Sequence, residues 1–91
     1  MGVQVRIPTP LRRITKGQDK VEAEGETVND VISSLDGRYP GMRERLCDDQ
    51  GELRHFVNVY INGDDIRFLN GLASPVKPGD EISLVPAVAG G

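Results

Sequence analysis

Few residues in this chain have the type and placement to do chemistry, and the best placed stand at its end, in Val85-Pro86-Ala87-Val88-Ala89-Gly90-Gly91. Gly90 and Gly91 carry no Cβ, so they hold no preferred backbone basin and cannot crowd a narrow channel. The Gly91 α-carboxylate is ionised at neutral pH, its reference pKa being only ~3.3–3.7, and it is the candidate reactive group. Pro86 has no N–H to give a ladder, so the chain is expected to leave the fold there. Residues 87–91 then reach roughly 17 Å when extended, at about 3.3–3.6 Å per residue. A frayed terminus with two glycines is the competing account, and the body of the chain has to decide between them.

Other candidates are weaker. Cys47 is the only cysteine and His55 the only histidine, which excludes an internal disulfide and leaves a metal site or a Cys–His pair unsupported. Cys47 is read as a structural thiol. Asp64 and Asp65 are adjacent, with no further ligand at metal-binding spacing, and read as a solvated turn.

The elements that must position the tail come from one core, because 91 residues suffice for a single domain. Aromatic residues make up 4% of the chain and Trp is absent, so that core is aliphatic. A net charge of -3 argues against affinity built on phosphate neutralisation and points to protein or small-molecule partners. No apolar run reaches signal-peptide or membrane-span length, and a cytoplasmic protein is expected.

Val3, Val5 and Ile7 alternate with polar residues and predict a half-buried strand. Residues 9–18 carry Pro10, Gly17 and the cations Arg12, Arg13 and Lys16, and read as a loop anchored by Leu11 and Ile14. Residues 19–24 alternate again and predict a second strand, antiparallel to the first. Gly25 breaks it. Thr27 with Asp30 three positions on resembles a capping box and opens a helix. Its stripe is Val28, Val31, Ile32, Leu35 and Tyr39, with Asn29, Asp30, Ser33, Ser34 and Asp36 outward. Pro40-Gly41 ends it, and a short helical turn is expected over residues 42–47.

Residues 56–61, Phe-Val-Asn-Val-Tyr-Ile, form the clearest strand, and Asn62-Gly63 after it is a tight-turn signal. If Val57, Val59 and Ile61 face the helix, Phe56, Asn58 and Tyr60 face the other way, where no second helix covers them. Phe56, Tyr60 and nearby Val85 are therefore the candidate docking surface. Ile66-Arg67-Phe68 reads as a short strand, and residues 81–85 as the last one, with Ile82 and Leu84 inward.

Strand, strand, long helix, strand, short strand, strand describes an α+β roll: a mixed sheet of four to five strands with one main helix on one face. With the first and last strands adjacent at the centre, this is the β-grasp arrangement. Residues 1–86 form the domain and 87–91 a flexible tail.

On this frame the chain resembles the ubiquitin-like sulfur carrier proteins of the MoaD/ThiS type. Within that group it is most similar to the cysteine-biosynthesis (CysO-type) branch. The resemblance rests on Ile7-Pro8-Thr9, Phe56 through Asn62, Asp65-Ile66-Arg67-Phe68, Gly71-Leu72-Ala73 and Leu84 through Gly91. Departures fall in loops, around residues 10–20 and 47–52. The resemblance implies that an adenylating enzyme of the ubiquitin-activating kind uses ATP to activate the Gly91 carboxylate, and that sulfur then makes it a thiocarboxylate. It implies a pyridoxal-phosphate cysteine synthase as acceptor and a zinc (JAMM-type) peptidase that restores the Gly-Gly end. Gly91 carries the chemistry; Gly90, Ala89 and Val88 thread a partner's active site. On this resemblance the chain is expected to bind no cofactor itself and to act as a protein co-substrate rather than an enzyme, without nucleic acid or membrane partners. A carrier for molybdopterin or thiamine synthesis, a protein modifier joined through Gly91 and a plain binding module remain open alternatives.

Overall fold

The structure is a computed structural model that describes residues 2–86; the tail residues expected to thread a partner, Val88, Ala89, Gly90 and Gly91, lie outside the described residues. Strand β1 (Val3–Arg6) buries Val3 and Val5 and exposes Gln4 and Arg6, as its alternation requires. Strand β2 (Lys20–Ala23) pairs with it antiparallel, Val5 opposite Val21. The connection holds a 3-10 turn, Thr9–Leu11, that buries Leu11. One of its cations is structural: the Arg12 guanidinium Nε donates to the Ile7 carbonyl at 3.1 Å.

Helix α1 (Val28–Arg38) starts where the capping pattern places it. Thr27 Oγ1 accepts from the Asp30 N–H at 3.2 Å, and the Asp30 carboxylate accepts in return from the Glu26 N–H at 3.2 Å. The return bond closes one residue earlier than in the usual box. Such a cap contributes about 1 kcal/mol. Gly25 is needed for a different reason than strand breaking, since a Cβ there would stand 2.8 Å from the Val31 nitrogen. Val28, Val31, Ile32 and Leu35 are buried against the sheet, and Tyr39, the C-cap residue, is buried with them. Each large aliphatic so buried contributes roughly 1.5–3 kcal/mol.

Helix α2 (Met42–Leu46) buries Met42 and Leu46. Its N-terminus is capped from a distance. Asp36 is half-buried, contrary to the expectation that it faces outward, because its Oδ1 accepts from the Gly41 and Arg43 N–H groups at 3.2 and 3.1 Å. A carboxylate satisfies two orphan amides there and gains from the helix dipole.

Strand β3 (Val57–Ile61) reverses through Asn62-Gly63, both with positive φ (51° and 91°), into strand β4 (Asp64–Asp65). A two-residue hairpin of primed type needs that conformation. Ile66–Phe68 is a 3-10 turn and not the expected strand. Asp65 Oδ1 accepts from the Arg67 N–H at 2.8 Å and caps the turn, which ends the ladder. Strand β5 runs Glu81–Pro86, one residue beyond its expected end. The register explains why proline is tolerated. Asn62 N–H donates to the Glu81 carbonyl, so alternate pairs carry the ladder bonds and the Val57–Pro86 pair needs none.

The sheet order is β2-β1-β5-β3-β4, with β1 and β5 parallel and adjacent and every other pair antiparallel. α1 covers one face. Val3, Val5, Ile7, Val21, Ala23, Val57, Val59, Ile61, Ile82 and Leu84 meet its stripe in a core with no large aromatic beyond Tyr39.

Candidate functional site

Three features bear on function: the strand end from which the tail continues, the sheet face opposite the helices, and the few groups able to react. β5 is the middle strand of five. β1 accompanies it only to Ser83, whereas β3 continues beside it to Pro86. Leu84–Pro86 therefore depends on one neighbour alone, and residues 87–91 continue from a strand end held by Val57–Val59.

Two cross-strand pairs on the open face matter most. Asn58 stands opposite Val85 and Tyr60 opposite Ser83, with Asp65 on the far side of Tyr60. Val85 is 44% exposed, while Tyr60 is half-buried. Toward β1 and β2 the same face becomes charged, with Arg6, Lys20, Glu22 and Glu81; the Arg6–Glu81 pair, 4.0 Å apart and exposed, is worth little. The apolar part of this face thus lies beside the tail exit.

Phe56 stands apart from this cluster. It precedes β3, in a turn closed by the Val57 N–H donating to the Arg54 carbonyl at 3.1 Å, and lines a shallow cleft with Glu44, Arg45, Asp49 and Arg54. Tyr60 lines another cleft, with Phe68, Leu69, Asp64 and Asp65. Phe68, which sequence reasoning passed over, is the most exposed large apolar residue among the described residues at 87%, and Leu69 beside it is at 48%. In a strand Ile66 and Phe68 would share a face; in a 3-10 turn at 120° per residue they part, Ile66 into the core and Phe68 into solvent. The signal available was Asp65, a capping residue just before Ile66.

Reactive groups are few. Cys47 is buried at 1% exposure, and burial pushes its thiol up despite the opposing charges of Arg43 and Arg54. A thiol held protonated is a poor nucleophile. His55 is exposed on the turn before β3. Among the described residues no group of His, Cys, Asp or Glu could hold a metal ion, and Asp65 is occupied as a cap. No helix among them is long and apolar enough to cross a membrane. Among the described residues, the apolar part of the open face lies beside the end of β5.

A single main helix laid on a five-stranded mixed sheet, with the first and last strands parallel and adjacent, defines a ubiquitin-like β-grasp protein. The chain belongs to the ThiS family, whose model matches residues 5–91. It is 50% identical over 93 residues to the sulfur carrier protein CysO of Mycobacterium tuberculosis, covering all of both chains. The crystal structure of the Amycolatopsis orientalis BexX/CysO complex contains a chain that superposes with a TM-score of 0.92 at 46% identity, covering 98% of this chain and 99% of that one. The crystal structure of Mycobacterium tuberculosis CysO gives 0.90 at 48%, covering 94% and 99%.

Proposed function

We propose that this chain is a sulfur carrier whose cargo is held at the Gly91 carboxylate, with Gly90, Ala89 and Val88 as the thread that enters a partner's active site. The observation that carries the reading is the family match, which runs through to residue 91 rather than stopping at the folded body.

The chemistry is that of a carboxylate made electrophilic. The Gly91 carboxylate attacks the α-phosphate of ATP on an adenylating enzyme, releasing pyrophosphate and forming an acyl-adenylate. A sulfur nucleophile at the sulfide level then displaces AMP and leaves a thiocarboxylate. For cysteine synthesis, the thiocarboxylate sulfur displaces the leaving group of an activated serine on a pyridoxal-phosphate enzyme and gives a thioester. Transfer of the acyl group from sulfur to the amine makes an amide, and a zinc peptidase hydrolyses it to cysteine and the Gly91 carboxylate. ATP, pyridoxal phosphate and zinc belong to these partners, and we place the cycle in the cytoplasm.

The open face around Tyr60 and Val85, with Phe56 at its margin, is the surface by which partners hold the domain while the tail is used. Intact-mass measurement on protein isolated from its native cell tests the proposal. A species in which sulfur replaces one oxygen is the expected result; an unmodified end together with high-mass conjugates would indicate a protein modifier instead.

A further inference from the structure

The Asp65-Ile66-Arg67-Phe68 stretch has no part in the chemistry of the sulfur cycle, yet Arg67 spends its whole side chain on the strand beside the tail exit. One guanidinium nitrogen, Nη2, donates to the Val57 carbonyl at 2.8 Å, to the Arg54 carbonyl at 3.2 Å and to the His55 carbonyl at 3.3 Å. The other, Nη1, donates to Asn58 Oδ1. Each acceptor belongs to the turn that opens β3 or to the first two residues of the strand itself.

The register shows what this accomplishes. Tyr60–Ser83 and Asn58–Val85 carry the β3–β5 ladder bonds, so the Val57 carbonyl turns away from β5, toward the edge where a longer β4 would lie. β4 is two residues long and reaches only Tyr60 and Ile61. Arg67 stands in for the missing strand: its planar fork supplies donors where ladder amides are absent. Val57 and Asn58 are also the partners of Pro86 and Val85. The 3-10 turn, capped by Asp65, thus reaches through Arg67 to the start of β3 and so to the last residues of β5.

We infer that Arg67 is a positioning residue for the carrier's tail, fixing the strand end from which residues 87–91 continue and so the approach of Gly91 to an activating partner. This rests on the reading of Gly91 as the activated group, and two readouts keep the two apart. Amide hydrogen exchange reports positioning without any partner. In Arg67→Ala, exchange at the Asn58 and Val85 amides is expected to accelerate about tenfold, the loss of roughly one charge-assisted hydrogen bond, with Val5 and Leu35 unchanged. ATP–pyrophosphate exchange with the adenylating enzyme reports function. There kcat is expected to fall about tenfold at unchanged KM for the carrier, because the proposed docking residues Tyr60, Val85 and Phe68 are all retained while the reacting group is misplaced.

Arg67→Lys restores the charge but not the fork, and is expected to rescue neither readout. Unchanged exchange at Asn58 and Val85, or equal acceleration at every amide, would overturn the inference, the latter by showing a merely global contribution to stability. A rise in KM alone would also overturn it, making Arg67 a docking contact. A wild-type chain inactive in pyrophosphate exchange would count against the Gly91 reading, and hydrogen exchange would still decide the role of Arg67.

Discussion

Single side chains hold this fold at points that no local pattern announces. Asp80 Oδ2 accepts from the Lys77 N–H at 2.9 Å and Oδ1 from Asn62 Nδ2 at 3.1 Å, which joins the turn before β5 to the turn after β3. The backbone bond to Lys77 is the larger cause, and the Asn62 amide the next, of an Asp80 carboxyl held below its ordinary range. Its folded pKa is depressed, so its stabilisation is present above the unfolded value of ~3.9 and is lost as pH falls through the folded value. Thermal melts of wild type and Asp80→Ala should differ by on the order of 0.5 kcal/mol at pH 7, the scale of a solvent-screened interaction, and the gap should shrink as pH falls below ~3.9. A gap that stays constant across this range would assign the effect to packing. Residues with local partners, Thr27 and the Asn62-Gly63 turn among them, were legible in the sequence. Asp36, Arg67 and Asp80 were not, because their hydrogen-bond partners include residues 5 to 18 positions away, and only the folded chain brings those together.

Among the elements, periodicity identified four of the five strands and α1, since burial on one face imposes it directly. β4 escaped it: two residues are too few to show a period, and Asp65 caps Ile66–Phe68 into a 3-10 turn. The consequence is that the turn releases Phe68 to the surface beside Tyr60. The candidate docking face is therefore wider at the β4 edge than alternation along β3 implies, and Phe56 belongs to its margin. Phe68→Ala removes an exposed ring and should leave thermal stability unchanged. It should also weaken binding to the adenylating enzyme by about tenfold, the scale of an aromatic anchor at an interface. Titration calorimetry with both proteins checks this, and unaltered affinity would confine docking to the β3–β5 strip.

At the scale of the whole molecule, the proposed role makes the fold a handle. α1 seals one sheet face, the other is left open, and the middle strand of the sheet leads into the tail. Sequence alone carried the architecture because a single aliphatic core of this size leaves few ways to place one helix and five strands. The candidate chemistry at Gly91 rests on the terminal Gly-Gly together with the family resemblance, and those residues lie outside the described ones. The central claim is that sulfur is loaded at Gly91, and the direct test is a loading reaction. Full-length chain and a Gly91 deletion are each incubated with the adenylating enzyme, ATP and sulfide, then weighed intact. The full chain should gain the mass of one oxygen-to-sulfur replacement, while the deletion gains none and melts at the same temperature. Equal loading of the two, or no loading of the full chain, would contradict the account.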